Sequence, residues 1–172
     1  MKYYRYYAVA LLIGLGWTLW RGSVSHSSGF SSAEGDNLVF APKDDAGLAR
    51  ATKQARQTLP QFLAVLGSVD GLSDIGFKYG VKSSDPDVPT EFLWFDHVQY
   101  SGGKLEGQLA NYPEWVDMSY GDPITVDAQK IEDWKYAQNG VMHGAYSIRV
   151  FRDRMTPQQR RKFDAELGAR LD

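Results

Sequence analysis

The chain has 172 residues, 43% of them hydrophobic and 13% aromatic, with no cysteine and a formal net charge of −2. That apolar content is enough for one packed domain with one core and is far from the composition of a disordered chain, while the absent cysteines exclude disulfides, thiolate nucleophiles, thiolate zinc sites and a lipidated cysteine. From residue 26 onward 16 basic side chains face 21 acidic ones, which disfavours nucleic-acid binding because phosphate affinity rests on a surplus of Lys and Arg.

Lys2 and Arg5 precede an uncharged, mostly apolar run over residues 6–20 that Arg21 closes. A positive start feeding an apolar run is an export signal. The run lies at the top of the roughly 7–15 residues of a signal peptide core and below the ~20 of a spanning helix, so two fates fit it. Ser23 and Ser25 supply small residues for cleavage after Ser25; Trp17 and Trp20 at one end and Tyr3, Tyr4, Tyr6 and Tyr7 at the other resemble the aromatic belts of a retained segment. Residues 1–25 are therefore read as a signal peptide or short membrane anchor, and residues 26–43, rich in Ser and Gly, as a flexible tether. The expected location is the periplasm or the outer face of the inner membrane, with membrane contact through residues 1–21 if the leader is kept.

From Asp44 apolar residues recur at helical spacing: Leu48, Ala51, Ala55, Leu59, Phe62 and Leu66. Asp44 or Asp45 caps this helix, Gly67 ends it, and Pro60 is expected to kink or split it after Leu59. Phe77, Tyr79 and Val81 then alternate with Lys78 and Lys82, as on a half-buried strand. A turn-rich stretch at 83–89 leads to an almost continuously apolar run at 92–100, which reads as a central strand covered on both faces. Leu105, Gly107 and Leu109 suggest a further strand. Residues 116–120 and 124–126 bracket Gly121-Asp122-Pro123, and Asn139-Gly140 separates Trp134 from an alternating run at 145–151; both are hairpin signals. Thr156-Pro157-Gln158-Gln159 opens a last helix with an N-cap, a proline in the first turn and a capping-box glutamine, and Phe163, Leu167 and Leu171 give it a thin apolar seam. The fold class expected is α+β: an antiparallel sheet or small partly open barrel packed with an N-terminal and a C-terminal helix.

Three runs, Gly121-Asp122-Pro123-Ile124-Thr125-Val126, Ile131-Glu132-Asp133-Trp134-Lys135-Tyr136 and Gly144-Ala145-Tyr146-Ser147-Ile148-Arg149-Val150, together with Gly107-Gln108-Leu109-Ala110-Asn111-Tyr112-Pro113, resemble the bacterial YegJ-like family, domain of unknown function 2314. The resemblance covers residues 44–152 and leaves 153–172 as a C-terminal helical extension. It implies a shared fold and brings no established activity.

Several residues carry potential chemistry. Asp133, Trp134 and Tyr136 fit a ligand-gripping edge in which an indole and a carboxylate act together; equally, Trp134 fills the core while Asp133 holds backbone N–H groups. Asp96 and His97 suggest a base with its orienter, but neighbours on a regular strand point to opposite faces and do not meet. His97 and His143 are left to meet across the sheet. No nucleophile elbow or phosphate loop is present, so no catalytic residue is assigned. Asp85, Asp87 and Glu91 form an acidic turn without the pattern of a calcium loop, and neither a metal nor a cofactor is expected. Arg160, Arg161 and Lys162 concentrate basic charge at the end of a chain that is acidic before it, an arrangement for oriented docking or simply a solvated face. The function expected is non-catalytic binding of a protein partner in the cell envelope, with an inhibitor or immunity-type partner of a toxin or envelope enzyme as its narrower form; the alternative is a hydrolase using Asp96, His97 or His143.

Overall fold

The computed structural model describes residues 6–10, 32–33, 38–42, 44–67 and 71–171, the first three segments as backbone only. Most of the leader and of the tether thus lies outside the described residues. Within them the backbone forms three short strands: β1 (Tyr6–Ala10), β2 (Ser32–Ala33) and β3 (Leu38–Pro42). β1 pairs antiparallel with β3, which also pairs with β2.

The first helix, α1 (Ala46–Val65), starts where Asp45 accepts the N–H groups of Gly47 and Leu48 at 2.9 and 3.0 Å. Its stripe Ala51, Ala55, Leu59 and Phe62 is buried as the spacing predicts. Contrary to expectation, Pro60 does not split it. The proline lies on the exposed face, where its ring meets no packed neighbour and the carbonyl that loses a donor faces solvent rather than the core.

A seven-stranded open sheet follows. Its strands are β4 (Leu72–Lys82), β5 (Thr90–Ser101), β6 (Lys104–Leu109), β7 (Pro123–Asp127), β8 (Asp133–Gln138), β9 (Val141–Gly144) and β10 (Arg170–Leu171). They lie in the order β10-β9-β8-β4-β5-β6-β7, antiparallel except for β10 on β9. Near its start β5 also pairs in parallel with β1, at Glu91 and Phe92. Two helices complete the fold, α2 (Tyr146–Arg154) and α3 (Pro157–Leu167).

Alternation along the strands sends side chains to two faces, and each face has its own apolar cluster. Phe77, Leu93, Phe95, Leu105, Leu109 and Trp134 pack with Ala55, Leu59 and Phe62 of α1. Trp94, Ala137 and Met142 pack with Ile148 and Phe151 of α2 and Phe163 and Leu167 of α3. The fold is therefore α+β.

Local departures from the sequence reading have identifiable causes. Residues 116–120 form no strand; they belong to a loop whose backbone is held by side chains elsewhere, among them the wholly buried carboxylate of Glu91, which accepts from Glu114 and Trp115. The run at 145–151 is helix rather than strand. Gly144 and Ala145, at φ 70° and 52°, turn the chain out of β9, and Ile148 and Phe151 then fall on the same buried face of α2. Leu171 is not on α3, because Gly168 at φ 72° ends that helix and Leu171 joins β10. The β5 strand is covered on both faces only through Leu93, Trp94 and Phe95, since beyond Asp96 a bulge interrupts its pairing with β6.

Candidate functional site

Between α1 and the β8–β9 hairpin lies a cleft of about 350 Å³. Gln54 and Gln61, seven residues apart and thus on one side of α1, form a wall; Trp134, Tyr136, His143, Tyr146 and Arg149 form the floor and the opposite wall. A column of rings rises from the core into it: Phe62 stacks on Trp134 at 5.3 Å, Trp134 on Tyr136 at 5.9 Å, and Tyr136 on His143 at 4.8 Å. Trp134 is fixed from below by its Nε1, which donates to the Ala55 carbonyl at 2.9 Å. Tyr146 meets its edge at 5.7 Å and shares a 2.8 Å hydrogen bond with the Thr58 hydroxyl. Arg149 donates to the carbonyls of Gly144 and Met142, which ties the cleft wall to the end of β9.

Beneath the cleft is a buried polar cluster. Asp133, inaccessible to solvent, accepts from the backbone N–H groups of Trp134, Tyr146 and Ser147 and from the Ser147 hydroxyl. It thereby caps α2, whose own N-cap residue, Ala145, has no side chain able to do so. Lys78 donates to the same Ser147 hydroxyl at 2.8 Å and lies over the Trp94 ring at 5.1 Å. Burial pulls the Lys78 ammonium down to about 8 against the attraction of Asp133 and Glu132. Burial likewise pushes the Asp133 carboxyl up, opposed by Lys78 and by the donors around it. Lys135 pairs with Asp74 and lies over the same Trp94 ring, at 5.4 Å.

The structure gathers some of the residues singled out from the sequence and separates others. Trp134 and Tyr136 come together with His143; Asp133 lies just below, turned to the backbone. Asp96 and His97 do hydrogen-bond, Nδ1 to Oδ1 at 2.7 Å, which corrects the expectation that they point apart. The reason is the bulge in β5: His97 takes φ 49° there, off the regular pleat. That pair is exposed, and β4 and β8 lie between its strand and the His143 strand, so the two histidines do not meet. On α3, Arg161 and Lys162 are exposed; Lys162 lies 3.7 Å from Glu166, and Arg160 donates to the Asp153 carbonyl. Of the acidic turn, Asp85 caps its own loop by accepting from Asp87. Among the described residues no group of three or more His, Asp or Glu is arranged to hold a metal ion.

Tyr146, Arg149, Gln54 and Gln61 were not singled out by sequence reasoning. A strand over 145–151 sets Tyr146 and Arg149 on opposite faces, whereas a helix sets residues three apart on the same one, so the period that hid α2 also hid this wall.

Residues 45–171 match a family model described as an uncharacterized protein conserved in bacteria, DUF2314. The chain is 30% identical over 124 residues to the uncharacterized protein YegJ of Escherichia coli K12, covering 71% of this chain and 77% of that protein. It is 25% identical over 144 residues to a protein of Neisseria meningitidis serogroup B that carries an ankyrin-repeat name, covering 78% of this chain and 56% of that protein. The chain thus spans about half the length of that second relative. No solved structure gives a significant match. The family match runs past 152 to take in α3, so the α1 helix, the seven-stranded sheet and both C-terminal helices fall within it, and the chain belongs to the DUF2314 family.

Proposed function

We propose that this is a non-catalytic protein-binding domain of the bacterial cell envelope and that it takes a segment of its partner into the cleft between α1 and the β8–β9 hairpin. The observation that carries this reading is the ring column ending at His143, flanked by two exposed glutamines on α1. Trp134 and Tyr136 are buried and hold the floor in place, so the surface that meets a peptide backbone is polar: the half-buried His143 ring and side-chain amides that offer both donors and acceptors. Binding needs only such a shaped surface, whereas catalysis needs a convergent set of groups; Asp96 and His97 lie apart from His143. Envelope location rests on the charge and hydropathy of residues 1–21, and an inhibitor or immunity-type role is the narrower form of the proposal.

The test is a photo-crosslinking residue placed at Gln54 or Gln61 in living cells, with Gln129, which is exposed outside the cleft, as the control. Adducts to one partner from the two cleft positions, absent at Gln129 and lost with His143→Ala, support the reading. Absence of adducts at both cleft positions overturns it. The hydrolase alternative keeps one observation in its favour, the Asp96–His97 hydrogen bond, which leaves Nε2 of His97 to carry a proton. It requires that His97→Gln abolish an activity while the melting temperature stays at the parental value.

A further inference from the structure

Three large apolar side chains stand exposed among the described residues, and two of them, Tyr112 at 60% and Tyr120 at 52%, stack on each other with centroids 5.4 Å apart. Both belong to the loop between β6 and β7, far from the cleft in the order of strands. The loop is closed at its base: Gly121 donates to the Leu109 carbonyl, Leu109 donates to the Asp122 carbonyl, and the Asp122 carboxylate accepts from Ser119. It is also pinned to β5 from two points. The buried Asn111 accepts from the Trp94 N–H at 2.7 Å, and Glu91, with no solvent exposure, accepts from Glu114 and Trp115. Burying a carboxylate is costly unless it is well bonded, so a carboxylate committed to the backbone of this loop marks a shape held in place rather than a slack connection. Rigid tyrosines lose little conformational freedom on binding and are enriched among the anchors of interfaces.

The surroundings fix the sign of the partner. The loop itself, residues 110–122, holds three carboxylates and no lysine or arginine. Within the loop, Glu114 and Asp117 are exposed. A negative field around two ring faces attracts cations, and a guanidinium, being planar and weakly hydrated, stacks on a ring better than an ammonium does.

We propose that Tyr112 and Tyr120 form a docking surface for an arginine-bearing segment of a protein partner, with guanidinium groups stacked on the rings and their charge balanced by Glu114 and Asp117. This surface is independent of the cleft. The experiment titrates the full-length chain with a labelled nona-arginine peptide and, in parallel, with nona-lysine. The expected result is at least fivefold tighter binding of the arginine peptide, a steep loss with added salt, and shifts of the Tyr112 and Tyr120 ring protons on binding. Y112A/Y120A should weaken binding at least tenfold while Y112F/Y120F retains it, and E114Q/D117N should weaken it at least fivefold. The ring-proton shifts and the carboxylate variant keep the proposal testable if Y112A/Y120A folds poorly. Equal affinity for the two peptides, or no movement of the tyrosine signals, overturns it.

Discussion

Trp134 stands at the junction of core and cleft, its ring between Phe62 and Tyr136 and its Nε1 bonded to α1. Trp134→Ala should destabilise the domain by about 3–5 kcal/mol, read as a shift in denaturant midpoint, because a large buried aromatic is removed. Trp134→Phe also removes the indole hydrogen bond to the Ala55 carbonyl. Trp94→Phe removes no such bond, since the Trp94 Nε1 has no partner among the described residues, and it should therefore cost less than Trp134→Phe. Gly144 is constrained more tightly still. At φ 70° a Cβ would lie 2.2 Å from the Trp134 carbonyl oxygen, so Gly144→Ala should lower the melting temperature by more than the substitution of a solvent-facing turn glycine such as Gly140. Lys78 gives a pH signature. Its proton leaves near pH 8 in the folded protein and near 10.5 in the unfolded chain, so between those values the unfolded state holds more protons and this group makes stability rise with pH, by about 3 kcal/mol across the interval. Urea midpoints at pH 8 and 10 should show that contribution in the parent and lack it in Lys78→Met. A variant whose pH dependence matches the parent's would refute the assignment.

At the scale of elements, what the sequence discloses depends on whether local signals and tertiary contacts agree. In α1 and α3 they agree: Asp45 and Thr156 cap the helices they precede, and the apolar stripes are the buried ones. The Asn139-Gly140 turn is legible for the same reason, both residues taking positive φ as a tight hairpin demands. In α2 they disagree. Its N-terminus is capped by Asp133, from another strand, and a cap delivered through space leaves no mark beside the helix it serves. The candidate site is legible to the same degree: Trp134 and Tyr136 announce themselves as aromatics beside a carboxylate, but Gln54 and Gln61 look like any solvated pair on a helix. Asp133→Ala tests the tertiary cap. It removes the carboxylate that the Tyr146 and Ser147 N–H groups donate to and leaves buried Lys78 with only Glu132 as counter-charge, a change that should destabilise by about 3–5 kcal/mol in a denaturant melt.

At the scale of the whole molecule, charge is divided along the sheet. The β5–β7 side is acidic, whereas residues 149–170, across the sheet, carry seven basic and three acidic side chains. Part of that basic charge is already used within the fold: Arg152 holds Asp164 through two 2.6 Å hydrogen bonds, and Arg154 holds Asp45, keeping the Asp45 carboxyl below its usual range. On α3, Arg161 and Lys162 remain exposed. Replacing the exposed Arg161 and Lys162 by Glu should weaken any association made by this face, and raising salt should do the same to the parent, because exposed charges are screened beyond about 8 Å at physiological ionic strength. Stability should change by only about 0–1 kcal/mol. Location is a property of the full chain as well: a reporter fused after Asp172 should be active only outside the cytoplasm, and activity confined to the cytoplasm would refute export. Among the described residues no helix is long and apolar enough to cross a membrane.

The Asp133 clasp has a kinetic consequence. It joins residues only 13 and 14 positions apart, enclosing the β8–β9 hairpin and the first turn of α2, whereas the bond from Trp134 to Ala55 spans 79. Short loops close in well under a microsecond and at low entropic cost, so the hairpin and its clasp are expected to assemble before α1 docks. Ser147→Ala, which trims the clasp, should then slow refolding, while Leu59→Ala, which loosens the docking of α1, should chiefly hasten unfolding. Stopped-flow measurements on both variants decide it: the opposite assignment of the two rates would place the start of folding at α1 instead.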